Sequence, residues 1–336
     1  MSAGDTMAAH GPAKSQGWRG VFDKALLLHL AVLALLFGLQ FVIGEYQHLS
    51  LARVMVLATY AVGYNILFGY TGLLSLGHAM FFAAGLYGAG IGASQFGLGV
   101  QESFLAGIFS GLLLSTVIGL IALRTTGVAF MIVTMMFAQA CYLLTLYFGE
   151  YTRGDEGIVL KGDIRQMVMF GYPVDLTSPV VRYNIAFGLL AVCVLICLAL
   201  VRSPTGRVLV AIRENEERAG MLGYDTFRTK LFALIISGTM SAAAGAAYAL
   251  LFAYVGATFA SIQYSILPLL WVLLGGIGTV LGPVVGTLLM FYLVDFASGY
   301  TSAYMLVVGV ALLILVVWFP KGLLGTLRER VIAWLP

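Results

Sequence analysis

Charged side chains are scarce in this sequence: they make up 10% of 336 residues, 18 basic and 15 acidic, with a formal net charge of +3. A soluble domain carries about 25% charge, so there is too little polar surface here to cover a water-soluble core of this size. The near balance of sign excludes the dense basic face that nucleic acid requires. Cysteine is almost absent: Cys141, Cys193 and Cys197 all lie inside apolar runs, which implies no disulfide framework. Cys193 and Cys197 share a helix face at i, i+4, a pair open to a soft metal, although packing as small apolar residues is the simpler reading. No GxxxxGK(S/T) string occurs, so the chain has no P-loop for ATP. HExxH, GxSxG and any Ser/His/Asp set on polar elements are also missing, which argues against a membrane enzyme.

What is present is apolar: 61% of residues are hydrophobic and mean hydropathy is +0.99. A span needs about 20 mostly apolar residues. Runs of that kind, or nearly so, occupy 26–43, 51–68, 79–96, 104–123, 128–148, 181–201, 231–255, 262–274, 280–296 and 304–319. The expected fold is therefore an all-α polytopic membrane protein with about ten transmembrane helices. The eighth run is short and glycine-flanked, which points to a broken or re-entrant segment. Residues 1–24 form a polar tail, and the run at 25–43 has no small-residue cleavage site after it, so it reads as a retained first span.

Lysine and arginine mark the inner side of short loops. Lys14, Arg19 and Lys24 precede the first run, and Arg124 marks another turn on the same side. Arg202, Arg207, Arg213, Arg218, Arg228 and Lys230 crowd residues 202–230, while Lys321, Arg328 and Arg330 follow the last run. Residues 150–175 instead carry Glu150, Asp155, Glu156, Asp163 and Asp175 against Arg153, Lys161 and Arg165. Both termini and 202–230 are thus expected inside, and the loop at 149–180 outside. Ten spans satisfy all of these assignments together.

Two glycine-rich strings stand at joins between runs: Gly69-Tyr-Thr-Gly-Leu-Leu-Ser-Leu-Gly77 and Gly275-Gly-Ile-Gly-Thr-Val-Leu-Gly282. Paired interruptions in the two halves of a transporter point toward a substrate path. Gly69, Gly72 and Gly77 are expected to break or kink a helix, and Thr71, Ser75 and His78 offer donors and acceptors beside the break, as a zwitterionic or amide substrate needs. Close helix packing, with His78 at a turn, accounts for the same residues.

Residues 202–230 hold a helix opened by Ser203-Pro204 and closed before Gly223. Val208, Leu209, Ala211 and Ile212 form its apolar face, with Arg213–Glu217 and Glu214–Arg218 as i, i+4 pairs. It is either a surface helix in the headgroup region or a docking helix for a soluble partner. Asp295, late in a run, and Arg53, early in one, both read first as side chains reaching the interface.

The string from Gly69 to His78 resembles the signature of LivM-type permeases, the membrane subunits of branched-chain amino-acid ABC importers. Ser203-Pro-Thr-Gly-Arg-Val-Leu-Val-Ala-Ile-Arg-Glu-Asn-Glu-Glu-Arg-Ala-Gly-Met-Leu-Gly223 is similar to that family's cytoplasmic coupling segment. Leu273-Leu-Gly-Gly-Ile-Gly-Thr-Val-Leu-Gly-Pro283 and Trp318-Phe-Pro-Lys-Gly-Leu-Leu-Gly325 also look like family features. The resemblance implies a permease domain over 25–320, a periplasmic loop at 149–180, a coupling loop at 202–230 and cytoplasmic tails at 1–24 and 321–336. It implies a substrate path bordered by Gly69, Thr71, Gly72, Ser75, Gly77, His78, Gly275, Gly276 and Gly278. ATPase coupling would fall to Gly206, Arg207, Arg213, Glu214, Asn215, Glu216 and Gly223. The implied partners are two ATPase subunits that bind the ATP and Mg, a paralogous permease, a periplasmic substrate-binding protein and the lipid bilayer of a bacterial inner membrane. No cofactor belongs to this chain. One departure stands out: the outer loop reads Thr152-Arg-Gly-Asp-Glu-Gly157 where family members often carry Gly-Gly-Ser/Thr-Asp-Gly. The same architecture also suits urea, short amides or another small solute, and an ATPase-independent transporter or channel is the reading from a different class.

Overall fold

The computed structural model describes residues 18–169, 172–319 and 321–330; Lys14 and residues 331–336 lie outside them. Each of the ten apolar runs lies on a helix: α1 (Trp18–Leu39), α2 (Glu45–Asn65), α3 (Ala79–Ser94), α4 (Val100–Ala122), α5 (Val128–Tyr147), α7 (Pro179–Arg202), α10 (Thr226–Phe252), α11 (Ile262–Gly275), α12 (Gly282–Tyr300) and α13 (Tyr304–Trp318). Among the described residues there are also four short α-helices: α6 (Gly149–Thr152), α8 (Pro204–Glu214), α9 (Glu216–Met221) and α14 (Leu323–Arg330). Among the described residues, six helices are long and apolar enough to cross a membrane, one of them α2 with its continuation to Tyr70. Two of the shorter ones, α3 with 16 residues and α11 with 14, span only about 24 and 21 Å at 1.5 Å per residue, less than the ~30 Å of a hydrocarbon core. Each adjoins one of the glycine-rich strings, so backbone without regular hydrogen bonding makes up the difference.

Local chemistry sets the helix ends. Ser203 caps α8, its hydroxyl accepting the Gly206 N–H, and Pro204 occupies the first helical position. Asp225 accepts the Arg228 N–H at the start of α10, and Ser261 accepts the Tyr264 N–H at the start of α11. Within the spans, Thr59, Ser241 and Thr287 bond back to the carbonyls of Met55, Ser237 and Pro283 four residues earlier. Their hydroxyls thus need no water.

Burial divides the helices into centre and periphery. The apolar window of the 45–70 helix is 89% buried and that of α10 78%, against 17% for α5. α10 packs on α3 and α4 through small residues, because backbones attract one another in lipid only at close range. A Cβ at Gly85 would lie 1.9 Å from the Ala242 carbonyl oxygen, and one at Gly245 would lie 1.9 Å from that of Phe82.

The 149–180 loop is more ordered than a plain loop. β1 (Ile158–Val159) pairs antiparallel with β4 (Tyr254–Val255), and β2 (Gln166–Met169) with β3 (Tyr172–Asp175). Buried Arg165 anchors it, donating to the carbonyls of Leu250 (3.0 Å), Leu251 (2.6 Å) and Leu176 (3.0 Å). Two of these acceptors belong to the last turn of α10, whose carbonyls have no partner inside the helix. Thr177 donates to the exposed Asp175 carboxylate from both N–H and hydroxyl, which holds that acid below its usual range.

One expectation is corrected. The helix predicted across 204–222 is two helices, because Asn215 takes an extended conformation (φ −163°, ψ 105°) and caps α9 by accepting the Arg218 N–H. The i, i+4 pairs across the break do not form; Arg213 pairs with its neighbour Glu214, and Glu216 with Lys230.

The close approach at Gly245 yields a direct check. Gly245→Ala is expected to cost about 1–3 kcal/mol by overpacking, seen as a lower midpoint of thermal unfolding in detergent. Gly188→Ala, where a Cβ meets nothing within 4 Å, should match or exceed the parent protein.

Candidate functional site

The two glycine-rich strings, distant in sequence, meet in space. α2 ends at Asn65 and loosens into a π turn over Ile66–Tyr70, a wider winding that often marks functional sites. The Asn65 amide donates to the Thr279 carbonyl (2.9 Å) and accepts from the Gly278 N–H (3.2 Å). One side chain thereby satisfies two backbone groups that the break after α11 leaves without helix partners. Gly69 fits against this clamp: a Cβ there would lie 2.0 Å from Asn65 Oδ1 and 2.8 Å from the Gly278 nitrogen. Gly276 and Gly278 take left-handed backbone (φ 132° and 66°), a region that side chains avoid. Thr71 and Thr279 donate to the carbonyls of Ile66 and Gly276, closing each turn from within. Gly275 packs against the start of α12, where a Cβ would fall 1.8 Å from the Gly282 oxygen.

Two arginines reach this junction from polar segments. Arg213, at the end of α8, donates to the Gly69 carbonyl at 2.6 Å. Its side chain also lies against exposed Gly72 (φ 77°), where a Cβ would stand 2.7 Å from its Cγ. Arg328 of α14 donates to the Gly278 carbonyl (3.3 Å). Gly322 and Gly325 bring the tail onto Gly276, with a Cβ at Gly322 falling 2.5 Å from the Gly276 nitrogen. Residues 202–230, the tail and both strings therefore gather at one end of the bundle.

Beyond the break the chain turns back into the protein. The Tyr64 hydroxyl donates to the Ser75 carbonyl, the Ser75 hydroxyl accepts the Gly77 N–H, and the Ala79 N–H donates to Ser265 of α11. A Cβ on Gly77 would stand 1.9 Å from the Thr134 carbonyl of α5. His78 is fully buried among Tyr60, Tyr64 and Phe81. Its Nε2 lies 3.0 Å from the Ser237 hydroxyl, which donates to the Gly63 carbonyl. With that hydroxyl proton committed, Nε2 is the donor, and Nδ1 is left without a partner. Of the nine residues expected along the path, all but Gly72 are buried here.

The seven expected coupling residues separate into two groups. Arg213 and Glu216 turn inward, the latter to buried Lys230. Asn215 caps α9, and Gly206 is buried where a Cβ would lie 2.3 Å from the Leu200 carbonyl. Packing, rather than flexibility, thus requires glycine at 206. Arg207, Glu214 and Gly223 are exposed, next to an exposed surface of Glu217, Arg218, Met221 and Leu222. Asp295 is exposed at the other end of the bundle, 3.4 Å from the Tyr46 hydroxyl.

Sequence reasoning did not place Asn65, Arg328, Ser237 or Ser265 in this site, Arg328 counting there only as a charge of the tail. Asn65 was the one with a local signal: a polar side chain closing an apolar run just before glycines. Asn65→Ala leaves the Gly278 N–H and Thr279 carbonyl buried without their partner, at about 1–3 kcal/mol for each such group. A fall in detergent unfolding midpoint is expected, larger than for removing the exposed Asn184 amide with Asn184→Ala.

A family model for the branched-chain amino acid transport system permease component matches residues 48–317. The chain is 26% identical over 332 residues to the high-affinity branched-chain amino acid transport system permease protein LivM of Escherichia coli K12, covering 92% of this chain and 77% of the relative. It is 24% identical over 284 residues to LivH of the same bacterium, covering 80% and 91%. A probable LivM of Methanocaldococcus jannaschii is 31% identical over 141 residues, 37% of this chain and 41% of that protein. No solved structure matches. The long apolar helices and this match over most of the chain agree: it is a multi-pass membrane protein that belongs to the branched-chain amino acid transport permease family, of the LivM type.

Proposed function

We propose that the chain is the membrane-spanning permease subunit of an ATP-binding-cassette importer for branched-chain amino acids in a bacterial inner membrane, working by alternating access. The single observation that carries this reading is the Arg213 bond to the Gly69 carbonyl. It ties a basic surface segment, of no use to a self-sufficient channel, to the broken backbone between spans. Two ATPase subunits binding ATP and Mg would dock on Arg207, Glu217, Arg218, Met221 and Leu222. Their closure would move α8 and α9, and through Arg213 and the Glu216–Lys230 pair would bias the break between two arrangements. Ten crossings with both termini and 202–230 inside accord with the lysine and arginine bias. The contacts that join 202–230, the tail and both strings support that orientation.

Similarity to both LivM and LivH of one bacterium supports a paralogous permease as the membrane partner. A periplasmic binding protein would meet the strand-bearing outer loop. Selectivity then rests largely with that protein, and a weak path through the permease favours release.

The test is purification of the tagged chain in a detergent that preserves known ABC complexes, followed by reconstitution with its binding protein. Co-purifying P-loop ATPases and ATP-dependent uptake of leucine, isoleucine or valine are expected. Arg213→Gln should keep the ATPases bound yet lower uptake per ATP hydrolysed about tenfold or more, the scale of losing a charged hydrogen bond. Recovery of the chain without ATPases, or uptake that ignores ATP, overturns the proposal.

A further inference from the structure

Arg53 departs from its surroundings. Between Leu51 and Asn65 every residue of α2 is buried except exposed Arg53 and, one turn further on the same face, half-buried Leu57. The guanidinium stacks over the Phe252 ring, 5.2 Å from its centroid, and the Tyr248 ring lies 4.8 Å from that of Phe252 between centroids. Among the described residues no hydrogen bond or ion pair to Arg53 is formed. Phe252 and Tyr248 belong to α10, which like α2 is among the most buried helices of the bundle, so exposed Arg53 lies on the open face of α2 where it meets α10. Half-buried Phe259 and Tyr264 continue the wall: Tyr248 lies 5.0 Å from Phe259, and Phe259 5.0 Å from Tyr264, between ring centroids. Eight residues past the start of α2, Arg53 sits about 12 Å along the helix, on the side of the outer loop, whose β1 pairs with β4 just after Phe252.

An exposed guanidinium on a spanning helix, lying over the Phe252 ring and without a counter-charge among the described residues, is placed to take an anion from solution. The partner this geometry lacks is an anion small enough to enter from outside. The rings beside it are suited to an apolar group attached to that anion.

We propose that Arg53 and the wall of Tyr248, Phe252, Phe259 and Tyr264 form an outward-facing reception site for a carboxylate-bearing solute with a short aliphatic side chain. The guanidinium pairs with the carboxylate, and the rings hold the side chain. The proposal rests on the importer reading above and deepens it, because a solute without a carboxylate, such as urea or a short amide, has nothing to offer Arg53. An exposed guanidinium also binds its anion only weakly, as a site on a transport path must.

The test uses the complete transporter with its binding protein in proteoliposomes, with Cys141, Cys193 and Cys197 replaced by serine for the labelling arm. Arg53→Gln is expected to cut leucine uptake at least tenfold while binding-protein-stimulated ATP hydrolysis persists, and Arg53→Lys to retain the larger part. R53C should react with hydrophilic methanethiosulfonates added from outside and be protected by the leucine-loaded binding protein. Its ammonium adduct should restore uptake, and its sulfonate adduct should not. Wild-type uptake by Arg53→Gln, equal rescue by both adducts, or labelling of R53C by membrane-permeant maleimide alone overturns the site while leaving the importer reading standing. A parent complex that takes up no branched-chain amino acid removes the importer reading, and this proposal with it.

Discussion

Backbone that leaves a helix inside a bilayer has no water to bond with, so every freed N–H and carbonyl must find its partner within the chain. This chain breaks its helices twice near one end, after Tyr70 and after Gly275, and the rest of its architecture follows from answering that need. Asn65 supplies both a donor and an acceptor to the second break, and Arg213 and Arg328 supply donors to one carbonyl in each. Glycine is required where these groups converge, because Gly69 approaches both the Asn65 amide and the Gly278 backbone too closely for any side chain. The two strings therefore form one junction with shared partners.

Sharing makes the junction responsive. An arginine on a short helix outside the spans completes the hydrogen bonding of a span end, so displacement of that helix changes which backbone groups are satisfied. The cap at Asn215 divides the segment so that α8 holds the junction while α9 is tied to α10 through Glu216 and Lys230. Arg207, Glu217, Arg218, Met221 and Leu222 are exposed on the surface. The division between a holding helix and a presenting helix gives the proposed ATPase contact a mechanical route inward.

Around this junction the bundle is unevenly firm. α3, α4 and α10 meet backbone to backbone at Gly85, Gly107 and Gly245, which leaves little room for sliding. α5 is the most peripheral of the six long spans and touches the break where Gly77 packs under Thr134. A rigid group beside a loosely held helix is the arrangement in which small displacements at a junction become larger ones elsewhere.

Composition and local pattern were enough to give the class of the molecule, the positions of its ten apolar helices, the two breaks and the basic segment. All of these are local: hydropathy needs only length, and a glycine-interrupted run needs only its neighbours. Residues that act through distant partners were not legible. Nothing in the letters around Asn65 or Arg328 says that a glycine 213 or 50 residues away lacks a bond, and nothing near Arg53 says that rings from α10 and α11 stand beside it. The uninterrupted periodicity of 204–222 concealed the turn at Asn215, because an asparagine continues or caps a helix according to what lies beyond it. That the two breaks are one junction, that Arg213 belongs to it and that Arg53 stands over the Phe252 ring emerges only from the packing, because unmet backbone hydrogen bonds and ring contacts are settled by groups that folding alone brings together.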